Sequence, residues 1–172
     1  RELAVHGMPR RYLHTELGYN SRLDALQAAV LNVKLPRLNQ WVERRRTIAQ
    51  RYREALQDVP GLLLPDASAG YGHGCNQFVV RVTVCPNDAS SSATHSPGEF
   101  GLPSSHCRDW LKQSLQEQGV NTIIYYPIPI HRQPAYAEQH CNSCLPVTEQ
   151  LCSEVLSLPI FPELTNEQQE QV

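Results

Sequence analysis

One cluster of side chains in the sequence could bind a metal ion. His140 directly precedes Cys141, and Cys144 completes a Cys-x-x-Cys arrangement. Imidazole and thiolate groups are ordinary zinc ligands, but a tetrahedral zinc site needs four ligands and a single Cys-x-x-Cys is weak support for one. A small metal-binding protein therefore stays one hypothesis, and we expect the chain to hold no metal.

A second candidate, an anion site, lies in residues 18–24, which read GYNSRLD. Ser21 and Asp24 have the spacing of a capping box, which predicts that a helix begins here. A helix start presents free amides and the positive end of the helix dipole, so it attracts anions. Asn20 could donate to such an anion or only support the turn. Arg22 could bind the anion or form a salt bridge.

The third candidate follows a predicted strand over residues 120–126. Pro127 and Pro129 cannot donate to a β-ladder, so the chain should leave the sheet here as a rigid, extended segment. A side chain on a rigid segment is held at little ordering cost, so His131 could be held ready for a contact outside the segment. A structural histidine bonded to the backbone is the alternative. Tyr126 could hydrogen-bond a substrate, although packing is the simpler interpretation.

The elements that would position these residues can be read from apolar spacing. Leu23, Leu26, Val30 and Val33 recur at intervals of three and four, which predicts one helical face, and Pro36 should end or kink that helix. A second helix extends to about residue 56 and carries Arg44-Arg45-Arg46, which we interpret as a solvated face with acidic partners rather than a nucleic-acid site.

The second half of the sequence predicts a small αβ unit. Residues 77–84 alternate as in a strand, residues 85–105 are rich in serine, proline and glycine as in a surface loop, and Ser105 should cap a helix that ends before Gly119. Pro146 can begin a short helix, and Thr165 begins another capping box. A helical hairpin or bent helix followed by a small sheet with helices on one face is the expected organisation.

Composition limits the function classes. The chain has 172 residues, a formal net charge of −2, 41% hydrophobic and 19% charged residues, and no apolar run near the ~20 residues that cross a bilayer. This net charge does not support non-specific binding of nucleic acid. The start lacks an apolar signal sequence and is not methionine, so we expect an internal start, reduced thiols on all six cysteines and a cytoplasmic location.

Four stretches together resemble the DegT/DnrJ/StrS sugar aminotransferases. They are HGMPRRYLHTELGYNSRLDALQAAVLNVKL at residues 6–35, RRRTIAQRYREAL at 44–56, GVNTIIYYPIPIHRQPAY at 119–136 and LSLPIFPELTNEQ at 156–168. Each is moderately specific alone, whereas the GYNSRLD block joined to YYPIPIH in this order is highly specific. The loop at 85–105 departs from the pattern and puts only local geometry in doubt.

The resemblance implies a fold class and a reaction. The chain would be the C-terminal small α/β domain of a fold type I aminotransferase, with a long helix or helical hairpin before a small, mostly antiparallel sheet. Residues 1–60 would end the large-domain region and supply inter-domain helices, and residues 61–172 would form the small domain. The complete protein would be a homodimer with shared active sites that uses pyridoxal 5′-phosphate to move an amino group, usually from glutamate, onto a nucleotide-linked keto sugar.

The resemblance also assigns roles to residues. Asn20 would reach the cofactor phosphate in the neighbouring subunit, with Arg22 beside it, and His131 and Tyr126 would lie on the substrate side. The chemistry needs a lysine that bonds to the cofactor. Lys34 and Lys112 are the only lysines, and neither stands in the family's lysine motif. The resemblance therefore places that lysine upstream and predicts that this chain alone is inactive. A non-catalytic dimerisation or binding module is the alternative.

Overall fold

The computed structural model describes residues 2–10, 12–21, 23–66, 72–84, 106–136 and 144–172. The chain divides into two compact units, Arg1–Gln40 and Trp41–Val172. The predicted boundary near residue 60 is a statement about the complete protein, and it stays a prediction. Arg22, the loop at 85–105 and the predicted Ser105 cap lie outside the described residues, as do His140 and Cys141.

In the first unit, a short 3₁₀ turn at Glu2–Ala4 precedes helix α1 at Ala25–Lys34. A second 3₁₀ turn, Leu35–Arg37, contains Pro36 and leads into helix α2 at Leu38–Leu56, so the predicted kink at the proline is confirmed. Helix α1 contains no buried residue, and Leu26 is 75% exposed. The predicted helix is present, but its apolar face is not buried in this chain.

The cap of α1 also differs from the prediction. The helix begins at Ala25, and Asp24 is its N-cap, with a carboxylate oxygen accepting from the Leu26 amide at 2.8 Å. Ser21 instead donates its backbone amide to the Ala4 carbonyl at 2.9 Å. The acid of the expected capping box thus caps the helix itself, because aspartate is as good an N-cap residue as serine.

The second unit contains a three-stranded antiparallel sheet in the order β1-β2-β3, with β1 at Leu62–Leu63, β2 at Phe78–Val82 and β3 at Val155–Leu158. Phe78 pairs with Leu158 and Leu62 pairs with Val82. Within the described ranges, the other α-helices are α3 at His106–Glu117, α4 at Pro146–Glu154 and α5 at Asn166–Glu170, and two 3₁₀ turns lie at Ile130–Arg132 and Pro134–Tyr136. The predicted class, a small antiparallel sheet with helices, is confirmed.

The core of this unit lies between the sheet and two helices. Alternate β2 side chains Phe78, Val80 and Val82 are buried, as their period of two requires. Helix α2 contributes Ile48, Ala49 and Tyr52, and α3 packs partly buried leucines on the same cluster. The Tyr52 hydroxyl donates to the Pro159 carbonyl at 3.0 Å, and burial raises its pKa to about 12.

Two expected features of this unit need correction. Residues 120–126 do not form a strand; Ile123 makes a single bridge, exchanging two backbone hydrogen bonds with Ser157. The prolines that follow supply no amide to extend a ladder. Cys107 is disulfide-bonded, which corrects the expectation that all thiols are reduced. Cys75, Cys144 and Cys152 are free.

The arginine run on α2 ties loops to the helix. Arg44 donates to the Pro162 carbonyl at 3.3 Å, Arg45 to Gly74 at 3.0 Å and Arg46 to His73 at 2.9 Å. In the part of the chain that the structure describes, the expected acidic partner is found for Arg46, which contacts Glu43 at 3.3 Å. These guanidinium groups therefore stabilise the unit mainly by satisfying backbone carbonyls.

Candidate active-site segments

The segment that carries Asn20 is fixed by backbone pairing within the first unit. Tyr19 donates to the Leu3 carbonyl at 2.6 Å, and His6 donates to the Tyr19 carbonyl at 2.9 Å. Asn20 itself forms an antiparallel bridge with Val5. Hydrogen bonds on both neighbours of Asn20 therefore hold its backbone, while its side chain stays exposed.

Two glycines permit this crossing of the chain on itself. A Cβ at Gly18 would lie 2.6 Å from the His6 carbonyl carbon and 2.7 Å from the Leu3 oxygen, and closer still to the Gly7 amide nitrogen. Gly7 adopts φ +64°, and a Cβ there would overlap the Glu16 carbonyl. Side chains at either position would separate the two strands of backbone.

The Asn20 side chain borders an open depression at the start of α1. Its lining is Asn20, Leu23, Asp24 and Ala25, and its volume is about 480 Å³. The exposed amide and the space beside it fit one edge of a phosphate group. The Asp24 carboxylate already accepts a hydrogen bond from the Leu26 amide and adds negative charge. The start of α1 therefore supplies one neutral donor, the Asn20 amide, rather than a complete anion-binding site. Arg22 lies outside the described residues.

The second segment follows the Ile123 bridge in the other unit. A cavity of about 690 Å³ is lined by two segments of the chain, residues 125–130 with Gln133, and Thr148, Leu151, Cys152 and Val155. Tyr126 is 70% exposed and borders this cavity. Its exposure runs against the simpler interpretation of a packing residue, and it leaves the phenol free to meet a ligand.

His131 is placed differently from Tyr126. Its side chain is 7% exposed, and its Nε2 donates to Glu149 Oε1 at 2.7 Å. Arg132 donates to the same oxygen through Nε at 3.1 Å and an η nitrogen at 3.0 Å. This geometry favours the structural alternative for His131, with a carboxylate rather than the backbone as its partner.

Glu149 is the residue of this site that sequence reasoning missed. It lies in the first turn of α4 and is buried. The sequence offers one acid shortly after Pro146, Glu149, and two adjacent basic residues before it. These are His131 and Arg132, which precede Glu149 by 18 and 17 positions. No local periodicity connects positions so far apart, so the pairing needed the fold.

Glu149 should make stability depend on pH. The hydrogen bond from His131, assisted by Arg132, lowers the pKa of the Glu149 carboxyl from its ordinary 4.5 although burial opposes the shift. A lowered folded-state pKa stabilises the protein above the ordinary carboxyl range, and that stability is lost as pH falls through it. We expect the free energy of unfolding to fall between about pH 5 and 3 less steeply in Glu149→Gln than in wild type.

Denaturant titrations across that pH range measure this dependence. Glu163→Gln, the same change at an exposed carboxylate, is the control and should retain the wild-type slope. Equal slopes in wild type and Glu149→Gln would contradict the assignment of the ion pair.

The described residues contain no group of three or more His, Cys, Asp or Glu side chains arranged to hold a metal ion. Cys144 is exposed and free. Within the same described ranges, no helix has the length and apolar character that a membrane span requires.

Comparison with known proteins places these segments in a family. The model of the DegT/DnrJ/EryC1/StrS aminotransferase family matches residues 1–172. The erythromycin biosynthesis sensory transduction protein EryC1 of Saccharopolyspora erythraea is 40% identical over an alignment of 173 positions that covers 100% of this chain and 41% of that protein. A UDP-N-acetyl-3-dehydro-alpha-D-glucosamine 3-aminotransferase of Acidithiobacillus ferrooxidans is 39% identical over 98% of this chain and 39% of its own length.

Comparison with solved structures points to the same family. S. venezuelae DesV, described in complex with a ketimine intermediate, superposes with a TM-score of 0.81 at 33% identity, over 99% of this chain and 40% of DesV. Bacillus subtilis ntda, described with bound cofactor pmp, gives a TM-score of 0.75 at 26% identity, over 99% of this chain and 36% of ntda. The chain thus spans about two fifths of the length of the relatives it matches.

Proposed function

This chain belongs to the DegT/DnrJ/EryC1/StrS aminotransferase family, and on that basis we propose that the complete protein transfers an amino group to a nucleotide-linked keto sugar. The observation that carries the proposal is the match of the family over all 172 residues. Relatives named as aminotransferases of nucleotide-linked sugars support the substrate class. Glutamate as amine donor, a homodimer with shared active sites and a cytoplasmic location belong to the same proposal.

Pyridoxal 5′-phosphate is the proposed cofactor, and a relative described with bound pmp supports it. When bound, this group stabilises negative charge on the carbon that carries the exchanged amine. The residue of this chain that would hold it is Asn20, whose exposed side-chain amide would donate to a phosphate oxygen. Arg22 is proposed to add positive charge beside it.

The lysines of this chain fit no covalent role. Lys34 is the last residue of α1 and is exposed, and Lys112 lies within α3. The proposal therefore places the cofactor lysine outside this chain. Tyr126 is the proposed substrate contact, because its phenol is exposed at a cavity. His131 would support that contact indirectly, because its hydrogen bond to Glu149 holds the end of the segment that carries Tyr126.

Amino transfer by the complete protein tests the proposal. The protein is incubated with pyridoxal phosphate, glutamate and a panel of dTDP- and UDP-linked keto sugars. Mass spectrometry should detect an amino sugar and an equal amount of 2-oxoglutarate, since the amine leaves one carbon and joins the other. The 172-residue chain alone should give neither product and should not develop the visible absorption of lysine-bound cofactor.

A non-catalytic binding module of the same family is the second candidate, and the name of EryC1 as a sensory transduction protein is the observation that favours it. That candidate predicts tight binding of cofactor or sugar without 2-oxoglutarate formation. Product formation above the glutamate-free control excludes it.

A further inference from the structure

The Glu149 carboxylate joins the two sides of the cavity described above. Glu149 follows the lining residue Thr148 on α4, and its partners His131 and Arg132 lie between the lining residues Ile130 and Gln133. The three hydrogen bonds all meet at one oxygen, Oε1, and none is longer than 3.1 Å. The ion pair is therefore a clasp between the 125–130 segment and α4.

Among the described residues, the side-chain hydrogen bonds between residues 125–133 and α4 are the three that meet at Glu149. Ile130 is 72% exposed and Val147 is 74% exposed, whereas Pro129, next to Ile130, is buried. The backbone anchor of the 125–130 wall, the Ile123 bridge to Ser157, lies at the opposite end of the segment. The segment is thus held by the bridge at one end and by the clasp at the other.

We propose that Glu149 is a positioning residue that sets the width of this cavity and so places Tyr126 against the nucleotide-linked substrate. The inference rests on the proposed function for the identity of the substrate, but the clasp itself can be tested without any substrate. Buried charge-assisted hydrogen bonds hold geometry more strictly than neutral ones, which suits a carboxylate to this task.

Cys152 reports whether the cavity has opened. Its side chain lines the cavity, yet the residue is only 9% exposed, and burial raises the pKa of its thiol, so alkylation should be slow in the wild type. Cys75 is 4% exposed in the core cluster and is absent from the cavity lining, so it reports global unfolding. The ratio of the two alkylation rates separates local opening from general loss of stability.

The experiment measures iodoacetamide labelling of the complete protein, mapped to individual cysteines by peptide mass spectrometry. In Glu149→Gln we expect the Cys152 to Cys75 ratio to rise about tenfold. In Glu163→Gln, the exposed control, the ratio should be unchanged. A rise at both cysteines together, or at neither, would overturn the proposal.

A second variant excludes a purely electrostatic explanation. The Glu149 charge itself raises the pKa of the Cys152 thiol, so its removal favours the reactive thiolate without any opening. His131→Leu keeps the carboxylate but removes the shortest of the three hydrogen bonds, and the ratio should still rise about threefold. A rise of the labelling ratio in Glu149→Gln without a rise in His131→Leu would contradict the clasp.

Kinetics then test the positioning role. In the active enzyme, Glu149→Gln should raise the KM for the nucleotide sugar about tenfold and leave the KM for glutamate unchanged, because only the sugar meets Tyr126. Local opening with an unchanged sugar KM would overturn the role. If the wild type transfers no amine at all, the proposed function fails, and the labelling ratio still decides whether Glu149 holds the cavity.

Discussion

Replacing Asn20 with alanine in the complete protein is expected to weaken pyridoxal phosphate retention about 10- to 100-fold. The loss corresponds to one hydrogen bond to a charged phosphate, worth about 1.5–3 kcal/mol. The structure supplies the reason to expect a local effect. The Asn20 backbone is held by the bridge to Val5, whereas its side chain is exposed beside an open depression.

Cofactor affinity is measured by dialysis against limiting cofactor, with thermal unfolding of the cofactor-free protein recorded in parallel. Asn32→Ala is the matched control, since Asn32 is exposed on α1 in the same unit. It should alter neither quantity. Unchanged cofactor affinity in Asn20→Ala would remove the assignment, and an equal loss in Asn32→Ala would show that the effect is not specific to the corner.

Gly18→Ala is expected to destabilise the first unit by about 2–4 kcal/mol, because the new Cβ meets backbone rather than flexible side chains. Its closest neighbours are atoms of Leu3, His6 and Gly7, which the hydrogen bonds of Tyr19 and His6 hold in place. The chain would have to separate at this crossing, and Asn20 would move with it.

Amide hydrogen exchange reads this effect residue by residue. In Gly18→Ala the amides of His6, Tyr19 and Ser21, which are bonded across the crossing, should exchange faster than in wild type. Gly74→Ala is the control: a Cβ at Gly74 would have no heavy atom within 4 Å, so its effect should stay within about 0.5 kcal/mol. Full protection of those amides in Gly18→Ala would contradict the described crossing.

Local signals in the sequence predicted much of the fold. Pro36 marks the break between α1 and α2, and the alternation of residues 77–84 marks β2. Gly119 has φ +83° just after α3. Thr165 accepts from the Gln168 amide in the expected capping box. Each of these depends on the conformational preference of one residue or on a short period of apolar residues. Both can be recognised from a few neighbouring positions in the sequence.

Features that depend on contacts across the fold could not be predicted in this way. The apolar period of α1 indicates that a face is apolar, but it does not say what covers the face, and Leu26 is exposed in this chain. Residues 120–126 have strand-like composition, yet only Ile123 finds a partner. The site shows the same limit. Asn20 stood out from its place before a helix start, whereas Glu149 acquires its role only when α4 meets His131.

Asn20 is proposed to complete the cofactor site of a partner subunit. Complementation tests it directly. Subunits carrying Asn20→Ala are combined with subunits in which the cofactor lysine of the complete polypeptide is replaced, and cofactor retention by the mixed dimer is measured. If Asn20 acts across the interface, one site of each mixed dimer keeps both groups and should bind cofactor with wild-type affinity. If the mixed dimers retain no more cofactor than the Asn20→Ala homodimer, the cross-subunit role of Asn20 is contradicted.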